Sequence, residues 1–337
     1  MATIREVAER AQVSQATVSH VINNTRFVSS EVRERVMAAI AELEYQQNSL
    51  AKSLRSGKTL TIGLLLPDSA NPYFAEIGKA VEDAARHLGY SVILCNTEGD
   101  TERESFYLDV LYQKRVDGII LVSVGIPTHA VESLQKHKLP LVAVDRDFPD
   151  YGIDSVLTDN LAGAILATRH LINLGHRRIA CITGPSFINP SSARITGYLQ
   201  ALQEAGISAD ERYVVTGDFH PESGWKAAMS LLSLNDRPTA ILTCNDLMAF
   251  GVLRAAAEMG LRVPEDLALV GYDDIELAAY YTPALTTVAQ PKNEMSQMAV
   301  EILVKRINGE NGGPVKQTLQ PVLVIRKSCG MKEKAKS

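Results

Sequence analysis

Residues Thr3 to Asn24, TIREVAERAQVSQATVSHVINN, place two short amphipathic helices on either side of a tight turn, and this pattern constrains the fold more than any other stretch of the chain. In the first helix Ile4, Val7, Ala8 and Ala11 recur at i, i+3, i+4 and i+7, giving one apolar face at the helical period. Gln12 and Val13 make the turn. Ser14 suits the N-cap of the second helix, because its hydroxyl accepts from a backbone N–H that has no helical partner. Val18, Val21 and Ile22 pack that helix inward, so Gln15, Ala16, Ser19 and His20 face out. Short polar groups on an exposed helix without an acidic residue suit the major groove, where amide, hydroxyl and imidazole meet base edges. The plainer reading of these residues alone is a helical hairpin in a small bundle.

Ser29 or Ser30 can cap a third helix, in which Val32, Val36, Ile40 and Leu43 repeat at helical spacing and close a three-helix head. The segment from Asn48 to Gly57, NSLAKSLRSG, has an Asn cap, about two helical turns and a terminal Gly, and a helix that short is marginal in water by itself. Leu50 and Leu54 share one face of it, with Lys52, Arg55 and Lys58 around them. Such a segment orders against a partner, or it is a solvated linker whose leucines dock on the next domain.

The stretch TIREVAERAQVSQATVSHVIN, followed by Arg26, Val28, the helix ending in Leu43 and Tyr45, and NSLAKSLRSGKT, resembles the lac-repressor/galactose-repressor family of bacterial transcription regulators. The resemblance runs through the whole chain and is closest to the ribose repressors, with the purine repressors next. It implies that the second helix enters the major groove with Gln15, Ala16 and His20 at base-contact positions. Thr3, Ser14, Thr17, Ser19 and Asn23 complete the candidate DNA-binding set, and Arg26 and Arg55 match further DNA contacts. Leu54 matches a hinge leucine wedged into the minor groove, where partial unstacking of a central base step kinks the duplex. One departure is Gln12, where many members carry Gly, so the turn is expected to be slightly more strained.

A chain of 337 residues exceeds one core of ordinary size, and two or three domains are expected. The divisions read from it are a head at 1–47, a hinge helix at 48–58, a core at 59–330 and a tail at 331–337. The net charge of −5 is unevenly spread: residues 1–60 hold eight Lys/Arg against six Asp/Glu, and the rest carries −7. Only the head can approach phosphate, and its binding should fall with salt as counterions are released. Cys95, Cys181, Cys244 and Cys329 are far apart and form no CxxC pair, so they read as reduced, buried thiols rather than metal ligands or disulfides. The N-terminus lacks an apolar signal core, and no stretch approaches the roughly 18 apolar residues of a membrane span. A cytoplasmic protein is expected, nucleoid-associated when bound to operator.

From Leu60 onward short apolar runs alternate with amphipathic segments: TIGLLL, SVILC, GIILV, LVAV, IACIT, TAILT and ALVGY. This is a βαβ series, and parallel sheets of that kind bind ligands at the carboxyl ends of their strands. After the first run come Asp68, Asn71, Pro72, Tyr73 and Phe74; after LVAV come Asp145 and Arg146. The loop after IACITGP leads to Arg194, and Phe219 follows RYVVTGD. Asn245 and Asp246 follow TAILTC, Asp273 and Asp274 close ALVGY, and Gln290 closes LTTVAQ. Singly, each has a plainer role as helix cap, ion pair or core aromatic.

As a set these residues supply carboxylates and amides that share hydroxyl hydrogen bonds, guanidinium forks that donate, and aromatic faces that cover an apolar ring. Asp145 and Asp273 balance Arg146 and Arg194, so a neutral polyol fits better than an anion. The candidate effector-binding residues are therefore Asn71, Tyr73, Phe74, Asp145, Arg146, Arg194, Phe219, Asn245, Asp273 and Gln290. The same positions resemble those of ribose-binding periplasmic proteins, with Tyr73 as the one substitution for Phe. The loop before Arg194, SFINPSSA, lacks the Arg that purine repressors place there, which favours ribose or a similar pentose.

The resemblance implies an all-α helix-turn-helix head and hinge helix, then an α/β core of two doubly wound parallel-sheet lobes of the periplasmic-binding-protein type. The lobes are expected at about 61–161 with 291–321, and at 162–290 with 322–330, with sugar between them. The tail KSCGMKEKAKS has no leucine heptads, so a homodimer reading palindromic operator DNA is expected. Three classes remain in view: a sugar-responsive repressor, with a purine-responsive one as the alternative; a sugar-binding protein without a gene-regulatory role; and an enzyme. Against the last, there is no GxSxG, P-loop, GxGxxG or metal-spaced His cluster, and no cofactor is expected. His170 and His176 read as surface or helix-end residues, and Glu98 to Glu104 as a solvated loop and helix start.

Overall fold

The computed structural model describes residues 2–45, 57–122, 128–148, 151–185 and 189–330. The expected hinge helix, with Leu54 and Arg55, falls on 46–56 and lies outside the described residues, as does the tail at 331–337. Contacts divide the chain into Met1–Thr59 and Leu60–Ser337.

The first unit holds α1 (Ile4–Ala11), α2 (Gln15–Asn23) and α3 (Ser30–Glu42). A capping box starts α1: Glu6 N donates to Thr3 Oγ1 at 3.3 Å, and Thr3 N donates to Glu6 Oε2 at 2.6 Å. Ser14 caps α2 and Ser29 caps α3, each hydroxyl accepting a backbone N–H three residues on. Val7, Ala8, Ala11, Val18, Val21, Val36 and Ala39 form the buried core, with Ile4, Ile22, Val32, Ile40 and Leu43 packed around it. Every buried member is Val or Ala, a thin core for a unit near the size at which folding alone becomes marginal. Gln12 closes α1 at φ 54, in the left-handed region where Gly costs least.

The second unit carries two six-stranded sheets. Lobe one has β1 (Thr61–Leu66), β2 (Ser91–Asn96), β3 (Gly118–Leu121), β4 (Leu141–Val144), β5 (Asp154–Thr158) and β11 (Lys316–Leu319), in the order β11-β5-β4-β3-β1-β2, all parallel. Lobe two has β6 (Ile179–Thr183), β7 (Val214–Thr216), β8 (Ala240–Thr243), β9 (Ala268–Asp273), β10 (Thr286–Ala289) and β12 (Val322–Val324), in the order β12-β10-β9-β8-β6-β7. Only β12 runs antiparallel to its neighbour, pairing Thr287 with Val324.

In lobe one Ile62, Leu64, Leu66, Ile120, Val122, Val142 and Val144 enter one core, while Leu65, Ile119, Leu121, Leu141 and Ala143 enter another. Side chains alternate across a strand, so both faces are buried and the run reads as continuously apolar. The covering helices are α4 (Pro72–His87), α5 (Thr101–Gln113), α6 (Thr128–Lys136) and α11 (Lys292–Ile307) in lobe one. In lobe two they are α7 (Asn160–Asn173), α8 (Asn189–Glu204), α9 (Pro221–Leu232) and α10 (Asp246–Glu258). The chain passes between the lobes three times, from β5 to α7, from β10 to α11 and from β11 to β12. No described helix is long and apolar enough to cross a membrane.

Candidate functional site

In the head, Gln15, Ala16, Asn23 and Arg26 are exposed, whereas Thr17, Ser19 and His20 are half-buried. Several of these groups hold one another. Ser14 Oγ and Thr17 Oγ1 are 2.9 Å apart, and Asn23 Nδ2 donates to the Ser19 carbonyl at 2.9 Å. His20 Nδ1 lies 2.8 Å from Thr25 Oγ1, which fixes the ring from its inner nitrogen. Thr3 is exposed but engaged in its capping box. Leu54 and Arg55, the remaining DNA candidates, lie outside the described residues.

In the core, the carboxyl ends of the strands surround a cavity of about 90 Å³. A single water needs roughly 10–15 Å³ on this scale, so the space admits a small molecule. It is lined by Asn71, Tyr73, Phe74, Asp145, Arg146, Arg194, Phe219, Asn245 and Asp273, together with Val122 and Pro190, which sequence reading did not single out. Gln290 stands behind them. Its Oε1 accepts from Tyr73 OH at 3.1 Å and its Nε2 donates to Asp273 Oδ1 at 2.8 Å, linking the two lobes behind the cavity.

Both asparagines also serve as helix caps. Asn71 Oδ1 accepts from Tyr73 N at the start of α4, where Pro72 occupies a first-turn position. Asn245 is more fully engaged: Oδ1 accepts from Met248 N to cap α10 and Nδ2 donates to the Phe219 carbonyl, both at 2.9 Å. Phe219 itself has φ 70. Its ring lies over Gly184, where an added Cβ would come within 2.1 Å of Cζ, so only glycine leaves room for it. Asp145 (φ 66) and Asp273 (φ 107) are also left-handed, a conformation costing about 1–3 kcal/mol each that recurs where backbone is held for ligands.

Arg194 is only 4% exposed. Its Nε donates to Asn160 Oδ1 at 2.7 Å, Nη1 donates to the Cys244 carbonyl, and the guanidinium lies 3.8 Å over the Tyr272 ring. Nη1 and Asp273 Oδ1 are 3.8 Å apart, an ion pair too long for a direct hydrogen bond. Asn160 and Tyr272 thus hold the arginine, and neither carries a local sequence signal for that task. Asp145 Oδ1 is buried with no hydrogen-bond partner among the described residues.

Burial pushes the Asp145 carboxyl up to about 6, against the pull of Arg194, Tyr73 and Arg146. Burial likewise pushes Asp273 up to about 7, while Arg194, Gln290 and Lys292 act to lower it. For Arg194 burial acts to lower the value, but Tyr272, Asp273 and Asp145 more than offset it and the guanidinium stays charged. Burial also lowers Arg146, with Glu104 and Asp145 opposing. Residues 98–103 form the expected exposed loop and helix start, and only Glu104, the last of that stretch, departs: it is buried on α5, where its charge supports Arg146. His170 is a helix-end residue, as expected, in the last turn of α7 with Nε2 3.2 Å from the buried Cys329 Sγ. Among the described residues no group of His, Cys, Asp and Glu could hold a metal ion.

Residues 3–48 match the family model for bacterial regulatory proteins of the lacI family, and residues 168–329 match a periplasmic binding protein-like domain. The "HTH-type transcriptional repressor PurR" of Edwardsiella ictaluri is 44% identical over 330 residues, covering 97% of each chain. The "Ribose operon repressor" of Escherichia coli K12 is also 44% identical over 330 residues, covering 98% of this chain and 100% of that one. A solved lac repressor dimer, bound to operator and the anti-inducer ONPF, superposes with a TM-score of 0.86 at 32% identity over 97% of this chain and 98% of that one. With a helix-turn-helix head, two α/β lobes and 44% identity over nearly the full length to repressors that are not enzymes, the chain belongs to the lacI family of bacterial regulatory proteins and is a DNA-binding transcriptional repressor.

Proposed function

We propose that the operator affinity of this repressor is controlled by a small neutral sugar, ribose or a related pentose, bound in the cleft between the lobes. The observation that carries this reading is the pairing of two carboxyls, Asp145 and the buried Asp273, with two guanidiniums, Arg146 and the buried Arg194, around one small cavity. A polyol offers hydroxyls that donate to the carboxylates and accept from the guanidiniums, adding no charge of its own. An anion would need surplus positive charge. Phe74 and Phe219 supply apolar faces for the ring, and Asn71 and Asn245 add polar edges.

In this reading two copies form a homodimer, and exposed Leu88, Ile93 and Leu94 around β2 offer a second copy an apolar face. Two heads related by a two-fold axis would read a palindromic operator. Gln15, Ala16 and His20 meet base edges, Thr3, Ser14, Thr17, Ser19, Asn23 and Arg26 flank them, and Leu54 and Arg55 act from the hinge. The protein works in the cytoplasm. Sugar closing the lobes weakens operator binding by a coupling of about 1–3 kcal/mol, so operator must weaken sugar binding by the same factor.

The test titrates purified protein with ribose, other pentoses, hexoses, hypoxanthine and guanine by calorimetry, with and without operator. Ribose binding that weakens in the presence of operator is expected. Tight purine binding with no pentose binding would replace the sugar with a purine effector, and equal sugar affinities with and without operator would uncouple the cleft from DNA.

A further inference from the structure

Asp273 and Asp274 are consecutive non-glycine residues in the left-handed region, at φ 107 and φ 49. Such backbone persists only where its surroundings over-determine it. Here the surroundings come from both lobes. Lys292, the first residue of α11, sends Nζ to the carbonyls of Asp273 at 2.9 Å and Asp274 at 2.7 Å. The same ammonium pairs with Glu76 Oε2 on α4 at 2.6 Å. The other oxygen of Glu76 accepts from Glu276 N at 2.9 Å. The Lys292 side chain is only 12% exposed, so the pair is screened less than a surface ion pair.

We propose that Glu76 and Lys292 are positioning residues that clasp the 273–276 segment of lobe two to α4 of lobe one, so that the aim of Asp273 into the cleft and the angle between the lobes are set together. Both oxygens of one carboxylate are spent on this link, one on the ammonium that holds the strained carbonyls and one on an amide three residues further on. Glu76 follows the cavity residues Tyr73 and Phe74 by three and two residues on the same helix, so it moves with the wall that faces the ligand. A ligand that draws on the Asp273 carboxylate pulls on the same segment that Glu76 holds. The clasp therefore transmits occupancy of the cleft to α4.

The inference rests on the cleft being the effector site, and its test has a readout that needs no effector. Hydrogen exchange of the 274–281 segment is measured in the full-length, ligand-free protein for wild type, Glu76→Gln and Glu76→Ala. The alanine variant should exchange about tenfold faster there, with β6 unchanged, and the glutamine variant, which keeps an acceptor for Glu276 N, should fall between. Unchanged exchange at 274–281, or an equal rise at β6, overturns the clasp. D-ribose is then titrated with and without operator for wild type, Glu76→Gln and Lys292→Met. The ribose-induced change in operator affinity should shrink about fivefold or more in both variants, while ligand-free operator affinity stays within about twofold. Full ribose response in both variants also overturns the clasp. Absence of ribose binding in wild type counts against the sugar reading, and the exchange data then decide the clasp alone.

Discussion

The head and the cleft of this repressor present polar groups under opposite conditions. The head holds its candidate contacts in water, on a core built from Val and Ala, and braces them with short local bonds such as Ser14–Thr17 and His20–Thr25. The cleft takes Asp273 and Arg194 almost wholly out of water and braces them with residues remote from them in sequence, Asn160 and Tyr272 on the arginine and Gln290 on the carboxylate. Removing a group from the first surface loses one contact. Removing one from the second leaves its neighbours buried and uncompensated, so the two regions should respond to mutation on different scales.

The largest effect should follow Arg194→Ala, which leaves two cleft carboxyls without their principal counter-charge. Effector binding should be lost and the core destabilised by about 3–5 kcal/mol in denaturant titration. Retained effector affinity would break the contrast at its strongest point. His20→Ala should weaken operator binding relative to random DNA by about 1–3 kcal/mol, with the core's stability unmoved. Equal loss on both DNAs would make His20 a backbone or structural contact instead.

A pH series tests the buried side from another direction. In the empty cleft burial raises Asp145 to about 6 and Asp273 to about 7, so the folded core binds more protons than the unfolded chain between their ordinary values and these. These two groups therefore make the empty core less stable as pH rises through that window, with the loss complete above it. Sugar hydroxyls that donate to the ionised carboxylates lower both values on binding. Sugar affinity should then rise by about tenfold from about pH 5.5 to about pH 7.5, with proton release seen as a buffer-dependent heat. The opposite slope would indicate a ligand that takes a proton from these carboxyls.

The smallest change belongs to the head. Gln12→Gly relieves left-handed backbone costing about 1–2 kcal/mol, while the added freedom of the unfolded chain takes back about 0.4–1. A gain of a few tenths to about 1 kcal/mol in the head's thermal transition is expected. A loss would mean that the Gln12 side chain contributes packing that outweighs its strain.

These contrasts also track what sequence reading can reach. Helices α1 to α3 and the apolar strands were legible because their signals are local: caps at Thr3 and Ser14, and runs such as TIGLLL with both faces buried. Strand β5 carries Asp154, Ser155 and Thr158, and β11 is a polar edge strand, so neither stands out as an apolar run. Within the site, nine candidates share one cavity because position after a parallel strand is readable from the run before it. Asn160, Tyr272, Glu76 and Lys292 were not readable in this way: the first two meet Arg194 only through the packing of lobe two, and the last two act on a segment brought near by the crossings between lobes. Glu104 alone departs from its solvated stretch for a related reason: its partner charge, Arg146, lies beyond the next two strands.

The three crossings impose an order on the making of the protein. Helix α11 supplies Met295, Ala299, Val300 and Leu303 to the core beneath lobe one, and β11 closes that lobe's sheet, yet both belong to the last fifth of the chain. Lobe one, begun first after the head, thus waits for nearly the whole polypeptide to emerge from the ribosome before its core can close. The head draws its described core from the first 45 residues and can fold while that wait continues. A nascent chain stalled before α11 would expose the apolar faces of β3 and β4 after the head has already folded, making it a natural client for chaperones.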